Sequence, residues 1–239
     1  MTVTINKPKR VLYQLLSPLH RLVACEELQR RKTLLQAWAG PGVEMSMASP
    51  KNGPHSISCE ADVAEAFVAV RTEASSWRSE GYDAVVLGCF SDPAITALRE
   101  ISGIPVIGPG AASISFACQL VERFSVLSSD PSPGGLRGRI RSMGFSDFFA
   151  SERRVLATVA DLRRGDPAIT EMIVDAARGC VADGAQALVL GCLAMSFTPG
   201  LPERLQQEAS VPVINPVLAA LKTAEIAAAM RSTVPMPAE

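Results

Sequence analysis

Two cysteines, Cys89 and Cys192, each follow a glycine at the end of an apolar run that is typical of a buried strand. The first run reads AVVLGCF (84–90) and the second reads ALVLGCL (187–193). In parallel α/β sheets, ligands bind beyond the carboxyl ends of the strands, so a thiol there faces a binding site. A lone cysteine after a strand is more often a core residue. The occurrence of the same Gly-Cys pair twice favours a catalytic role for both cysteines over a role in the core.

Two opposed thiols suit proton transfer at a carbon acid. A thiolate on one face of a stereocentre removes a proton, and a thiol on the other face delivers one, while backbone N–H groups stabilise the charge on the substrate carbonyl. This chemistry requires no cofactor and no metal. A free thiol has a pKa of about 8.5 and is mostly protonated at neutral pH. We expect a helix beginning at Pro93, capped by Ser91 or Asp92, to favour the thiolate at Cys89.

The elements that must position the thiols alternate between strand and helix patterns, which predicts a parallel α/β architecture. The helical patterns have apolar residues at the spacing of one helix face. The predicted strands cover 10–16, 43–48, 84–87, 104–107, 124–127, 154–157, 187–190 and 211–214. The predicted helices cover 19–36, 60–79, 168–182 and 216–230, with a short one near 93.

The chain contains an internal repeat. The segments GYDAVVLGCF (81–90) and GAQALVLGCL (184–193) share six of ten positions, and IPVI (104–107) matches VPVI (211–214) downstream. We therefore expect two lobes related by a pseudo-twofold axis, each with a mainly four-stranded parallel sheet flanked by helices. Helices after Gly110 and Pro216 would cross between them, so that lobe 1 comprises 1–109 and 216–239, and lobe 2 comprises 110–215. The segment SSDPSPGGLRG (128–138) is rich in turn residues and is expected to be a mobile loop.

Composition excludes several classes of protein. The 239 residues are 48% hydrophobic and carry 23 basic and 24 acidic side chains, which indicates no nucleic-acid partner. No apolar run is long enough to span a membrane, and the first ten residues lack a signal-peptide pattern, so a cytoplasmic location is expected. Six cysteines without a CxxC pair, and two distant histidines, indicate neither a disulfide scaffold nor a metal site. Cys25, Cys59, Cys118 and Cys180 have no counterpart in the repeat and are interpreted as structural.

The sequence resembles the aspartate/glutamate racemase superfamily, and within it the hydantoin and allantoin racemase family, over nearly its whole length. The resemblance is carried by GPHSI (53–57), GCFSDP (88–93), IPVIG (104–108), RFSVL (123–127), DGA (183–185) with the second Gly-Cys, and VPVI (211–214). It implies cofactor-independent racemisation of a small molecule, with Cys89 and Cys192 as the acid/base pair. It further implies that Ser128 and Ser129, where the family usually has threonines, contact the ligand's carbonyl or ring nitrogens. We also expect a homo-oligomer.

The resemblance extends to the residues around the thiols and the first strand. The candidate substrate-binding residues are Gln14, Ser17, Phe90, Ser91, Ser128, Ser129, Leu193 and Ala194.

Two departures from the family pattern concern the substrate pocket. The first strand ends in QLLSP (14–18), where the family has a stretch similar to Asn-Pro-Asn-Thr, and LAMS (193–196) replaces small residues after the second cysteine. Both changes predict a more apolar pocket and a bulkier or less polar substituent. Alternatively, Leu15 and Leu16 only pack against the second lobe.

Other functions remain open at this point. A maleate-type cis–trans isomerase uses both thiols, whereas a malonate decarboxylase needs only one. A racemase of free amino acids needs charged anchors, and no Arg or Lys lies next to either Gly-Cys. A non-enzymatic small-molecule binding protein has no use for paired thiols. A nucleotide-binding protein is disfavoured because neither G-x-G-x-x-G nor a P-loop motif is present.

Overall fold

The computed structural model describes residues 7–233, with side chains for 7–230. The rest of the N-terminal stretch and of the predicted lobe 1, residues 1–6 and 234–239, lies outside the described residues. The strands are β1 (Lys9–Gln14), β2 (Val43–Ala48), β3 (Ala84–Leu87), β4 (Val106–Ile107), β5 (Phe124–Ser129), β6 (Phe149–Val155), β7 (Ala187–Leu190) and β8 (Val213–Ile214). The helices are α1 (Cys25–Trp38), α2 (Glu60–Ala74), α3 (Ile95–Ser102), α4 (Pro109–Leu120), α5 (Leu136–Ser142), α6 (Val159–Arg164), α7 (Pro167–Ala182), α8 (Leu193–Ser196), α9 (Leu201–Ala209) and α10 (Pro216–Thr233).

The strands form two four-stranded parallel sheets with equivalent strand orders, β2-β1-β3-β4 and β6-β5-β7-β8. The register pairs Gln14 with Leu87 in the first sheet and Leu127 with Leu190 in the second. The glycines that precede the two cysteines therefore come directly after equivalent strand ends. The predicted fold class, two similar α/β halves with parallel sheets, is confirmed.

Two helices connect the halves in space. Helix α10 packs against β1, β3 and β4 of the first sheet, and α4 packs against β7 of the second and against α10. A continuous apolar core joins both sheets and both helices, with Val86, Val189, Ala117 and Ala224 fully buried in it. Burial of this apolar surface holds the two sheets in a fixed relation. The division into lobes 1–109 with 216–239 and 110–215 stays a prediction.

Several element boundaries differ from the predicted ones for local reasons. A 3-10 turn at Leu19–Arg21 and an extended Ala24 separate the first strand from α1. Helix α2 ends at Ala74 because the hydroxyl of Ser75 donates to the carbonyl of Thr72, and that of Ser76 to the carbonyl of Glu73. The segment predicted as a loop from 128 begins inside β5, so Ser128 and Ser129 are the last residues of a buried strand.

Candidate functional site

A cavity of about 100 Å³ opens beyond the carboxyl ends of the central strands, and both Cys89 and Cys192 line it. Its wall is built from both halves of the repeat, as the predicted meeting of equivalent strand ends requires. Cys89 is partly buried and Cys192 is buried. The two thiols predicted from the repeat therefore lie in one cavity.

The glycines before the cysteines are required by the neighbouring strands. A Cβ at Gly88 would lie 2.9 Å from the Cα of Leu15, and a Cβ at Gly191 would lie 2.8 Å from the carbonyl oxygen of Leu127. The N–H of Gly88 donates to the carbonyl of Gln14 at 2.7 Å, and the N–H of Gly191 donates to that of Leu127 at 2.6 Å. Glycine therefore lets each strand end approach its neighbour closely before the chain turns into the site.

Cys89 lies in a loop and has a hydroxyl partner. Its Sγ is 3.1 Å from the Oγ of Ser91. Burial raises the pKa of Cys89 to about 11, although the hydroxyl and backbone N–H of Ser91 act in the opposite direction. The negative charge of Asp92 raises this pKa further.

Cys192 has more favourable partners for a thiolate. It is the N-terminal capping residue of α8, and hydrogen bonds from the N–H of Ala194 and the hydroxyl of Ser129 lower its pKa. The guanidinium of Arg163 also lowers the pKa of Cys192, but burial is the largest effect and raises it overall. The charges beside the two thiols thus have opposite sign, acidic at Cys89 and basic at Cys192.

The predicted helix cap beside Cys89 is wrong. The helix begins at Ile95 rather than Pro93, because Asp92 and Ala94 adopt left-handed conformations (φ 52° and 51°). The carboxylate of Asp92 instead accepts the N–H groups of Gly110 and Ala111 at 2.9 and 2.6 Å, and so caps α4. Burial raises the pKa of Asp92 to about 6, against the effect of these two hydrogen bonds.

Glycines at the start of α4 make room for this cap. A Cβ at Gly108 would lie 2.3 Å from the Cγ of Asp92, and a Cβ at Gly110 would lie 2.2 Å from the carbonyl oxygen of Phe90. In the other half of the repeat, the position of Gly108 is taken by Asn215, whose Oδ1 accepts the N–H groups of Val217 and Leu218. One half thus caps its connecting helix locally, and the other uses the loop that carries Cys89.

Seven of the eight predicted substrate-binding residues line the cavity. They are Ser17, Phe90, Ser91, Ser128, Ser129, Leu193 and Ala194.

Gln14 is not among the residues that line the cavity. Its Nε2 donates to the carbonyl of Leu15 and, at 3.3 Å, to the carboxylate of Glu73 on α2. Side chains alternate along a strand, so the neighbours Tyr13 and Leu15 point to the cavity while Gln14 points away.

The two leucines that depart from the family pattern both line the cavity, but only Leu15 also lies in a core cluster that includes the second half, as the alternative interpretation requires. Leu15 and Leu16 line the cavity, which makes that part of the wall apolar. Both are also core residues: Leu15 lies in the cluster shared by the two sheets, and Leu16 packs with residues such as Leu12 and Val70.

Sequence reasoning missed the charged and phenolic groups of the site. Tyr13, Arg31, Arg139, Arg163 and Glu152 all line the cavity. The arginines come from α1, α5 and α6, far from either Gly-Cys in the chain, and no local motif marks them. One feature of the sequence does point to Tyr13. It precedes Gln14 at the end of β1, and successive side chains of a strand point to opposite sides, so either residue can face the site.

The Tyr13 side chain lies close to both thiols and to Arg31. Desolvation by burial raises the pKa of Tyr13 strongly; the charge of Arg31 lowers it, and those of Cys89 and Cys192 raise it. The phenol therefore stays protonated and is available as a hydrogen-bond donor.

No helix among residues 7–233 is long and apolar enough to cross a membrane.

The family model for Asp/Glu/hydantoin racemases matches residues 25–224. A hydantoin racemase of Pseudomonas sp. (strain NS671) is 34% identical over 186 residues, covering 74% of this chain and 71% of that protein. A hydantoin racemase of Rhizobium meliloti is 35% identical, covering 76% of this chain and 75% of that one. The solved structure of an allantoin racemase from Klebsiella pneumoniae superimposes with a TM-score of 0.82 at 29% identity, covering 93% of this chain and 88% of that one.

Proposed function

Because the chain belongs to the Asp/Glu/hydantoin racemase family and is therefore an isomerase, we propose that it racemises a 5-monosubstituted hydantoin or a similar cyclic carbon acid. The observation that carries the proposal is the pair of thiols, Cys89 and Cys192, at equivalent strand ends of one cavity. Racemisation needs nearly the same group on each face of the carbon, and a duplicated fold supplies that.

The proposed reaction begins with removal of the C5 proton by one thiolate. The electron pair of the C–H bond moves into the adjacent carbonyl, and the thiol on the opposite face then donates its proton to C5. Each turnover therefore exchanges the protonation states of the two cysteines. The basic neighbour of Cys192, Arg163, and the acidic neighbour of Cys89, Asp92, favour ionisation of Cys192 before Cys89, although burial raises the pKa of both thiols.

Hydroxyl groups around the thiols are suited to hold the ring and its developing charge. Ser128 and Ser129 end a strand in the cavity wall, and the protonated phenol of Tyr13 lies near both thiols. Donors of this kind stabilise an enolate oxygen more than the neutral carbonyl of the ground state. No cofactor takes part in the proposed reaction.

Racemisation of a free amino acid is the second candidate function. The sequence argued against it because no Arg or Lys lies next to either Gly-Cys, but Arg31, Arg139 and Arg163 line the cavity in the folded protein. The relatives at 34–35% identity are hydantoin racemases, which favours the cyclic substrate.

Single enantiomers of benzyl- and isobutylhydantoin in deuterated water, without added cofactor, test the proposal. We expect optical rotation to decay while the C5 proton signal disappears from the NMR spectrum. L-Glutamate and L-phenylalanine, treated in the same way, test the second candidate. Absence of exchange in both hydantoins would overturn the proposed function.

A further inference from the structure

The cavity wall contains a buried arginine whose terminal atoms have no partner. Arg31, only 6% exposed, donates from Nε to the carboxylate of Glu27 at 2.6 Å and lies over the ring of Phe197 at 4.6 Å. Among the described side chains, neither Nη atom of Arg31 has a hydrogen-bond partner. Glu27 also binds Arg30 through both of its oxygens, so one carboxylate is shared between two guanidinium groups.

A second guanidinium lies beside the first. Arg163 lines the cavity and is held by one hydrogen bond, from Nη1 to the carbonyl of His55 at 3.2 Å. Burial lowers the pKa of Arg163, and the neighbouring charge of Arg31 lowers it further. Two like charges held together away from water repel each other, and an anion between them would offset that repulsion.

The charges of the whole lining point to the same kind of ligand. Arg31, Arg139 and Arg163 line the cavity together with one carboxylate, that of Glu152, which leaves an excess of two positive charges among the lining side chains. A Cys192 thiolate would offset one of these positive charges, and Arg163 is the arginine that lowers the pKa of that thiol. The carboxylate that pairs with Arg31, that of Glu27, does not line the cavity and is shared with Arg30, so an anionic ligand in the cavity would add a second partner for Arg31.

We propose that Arg31 and Arg163 form a carboxylate subsite, so that the preferred substrates are hydantoins whose 5-substituent ends in a carboxylate. A guanidinium binds a carboxylate through two parallel N–H···O bonds, and the free Nη atoms of Arg31 provide such a pair. The apolar wall at Leu15 and Leu16 then contacts the methylene groups of the substituent. This inference rests on the proposed racemase function and deepens it.

The test compares three hydantoins whose 5-substituents are 2-carboxyethyl, 2-carbamoylethyl and 4-aminobutyl. The acid and the amide have nearly the same shape and differ in charge. We expect kcat/KM of the wild-type protein to be roughly tenfold to a hundredfold higher for the acid than for the amide, and lowest for the amine.

Four variants test whether the preference for the acid over the amide depends on Arg31 and Arg163. In Arg31→Met and Arg163→Met the acid-to-amide ratio should fall at least about tenfold, since methionine keeps the apolar stem and removes the charge. Lys32→Met and Arg164→Met are matched controls: Lys32 follows Arg31 and Arg164 follows Arg163 in the sequence, both are exposed, and neither lines the cavity. Both controls should keep the wild-type ratio.

Each outcome decides the question. If the wild-type protein racemises the amide as well as the acid, the subsite is overturned while the racemase function stands. If it racemises none of these compounds and neither benzyl- nor isobutylhydantoin, the proposed function fails, and this inference fails with it. Inhibition of wild-type amide racemisation by glutarate but not by glutaramide is a further expectation that depends on no variant, and equal inhibition by both compounds would contradict the subsite.

Discussion

At the scale of single residues, the two thiols are chemically equivalent but differently placed. Cys89 is paired with the hydroxyl of Ser91 beside the carboxylate of Asp92, whereas Cys192 lies at the N-terminus of a short helix beside Arg163. Burial raises the pKa of both. The site therefore holds mostly protonated thiols at neutral pH in the absence of substrate.

Replacing either thiol tests its role directly. We expect Cys89→Ser and Cys192→Ser each to lower racemisation by about 10²–10⁴-fold, because a hydroxyl is a far weaker base than a thiolate. Each variant should retain slow C5 exchange from one enantiomer, since the remaining thiol still faces one side. Polarimetry and NMR exchange measure the two effects separately. Cys118→Ser, on α4 outside the cavity, is the control, and two single variants with normal racemisation would contradict the two-thiol mechanism.

The pH dependence of the racemisation rate follows from the upward shift of both cysteine pKa values. A raised thiol pKa leaves the thiolate as the minor form at neutral pH, and the fraction with one thiolate grows as pH rises toward the first ionisation. We expect kcat/KM to increase by about tenfold per pH unit between roughly pH 6 and 8. This rising part of the pH profile reports the ionisation of the two cysteines as a pair, not of either one alone. Initial rates across this range measure it, and a rate independent of pH between 6 and 8 would contradict the expectation.

Sequence reasoning located the thiols but not the charges around them. Cys89 and Cys192 were identifiable because a duplicated motif marks equivalent strand ends. Arg31 and Arg163 were not, because they reach the cavity from helices whose local patterns indicate only a solvent-facing side. Gln14 does not line the cavity, whereas its neighbours Tyr13 and Leu15 do, because successive side chains of a strand point in opposite directions.

At the scale of elements, the connection between the Cys89 loop and α4 is a contact that the other half of the repeat lacks. The carboxylate of Asp92 reaches across to two N–H groups of α4, through space that the absent side chain of Gly108 leaves open. The equivalent α10 is capped by Asn215 from its own chain segment. The strand patterns predicted both sheets correctly, but this contact is between distant segments and has no periodic signal.

Moving the cap tests what Asp92 contributes. Asp92→Ala should lower the free energy of unfolding by about 1–2 kcal/mol, the usual effect of losing a helix cap, and should lower kcat by releasing the Cys89 loop. In the double variant Asp92→Ala/Gly108→Asn, a local cap like that of Asn215 should restore stability and leave kcat low. Urea unfolding and initial rates measure the two. Full recovery of kcat in the double variant would show that the loop is positioned by other contacts.

At the scale of the whole molecule, the two connecting helices border an exposed apolar groove. A groove of about 820 Å³ lies between α4 and α10. Phe116, Leu120 and Ile226 are about half exposed there, at 45%, 50% and 59%. Exposed apolar patches mark contact surfaces between proteins, and an isologous dimer would bury this same patch of both copies.

A substitution in this groove tests whether the protein forms the expected homo-oligomer through it. We expect the wild-type protein to sediment as a dimer or larger assembly, and Phe116→Glu to shift it toward monomer, because a charge would be buried at the contact. Val68→Glu is the control, since Val68 is 62% exposed on α2, outside the groove. Sedimentation velocity distinguishes the species, and a wild-type monomer at micromolar concentration would contradict the prediction.

The unequal surroundings of the two thiols constrain the kinetics in one further way. Mirror-image substrates with one stereocentre have the same free energy in water, so the equilibrium constant of the reaction is one. By the Haldane relation, kcat/KM must then be equal in the two directions, whatever Asp92 does to Cys89 or Arg163 to Cys192. The asymmetry can appear only as a compensated difference, in which the enantiomer that saturates the enzyme at lower concentration also turns over more slowly.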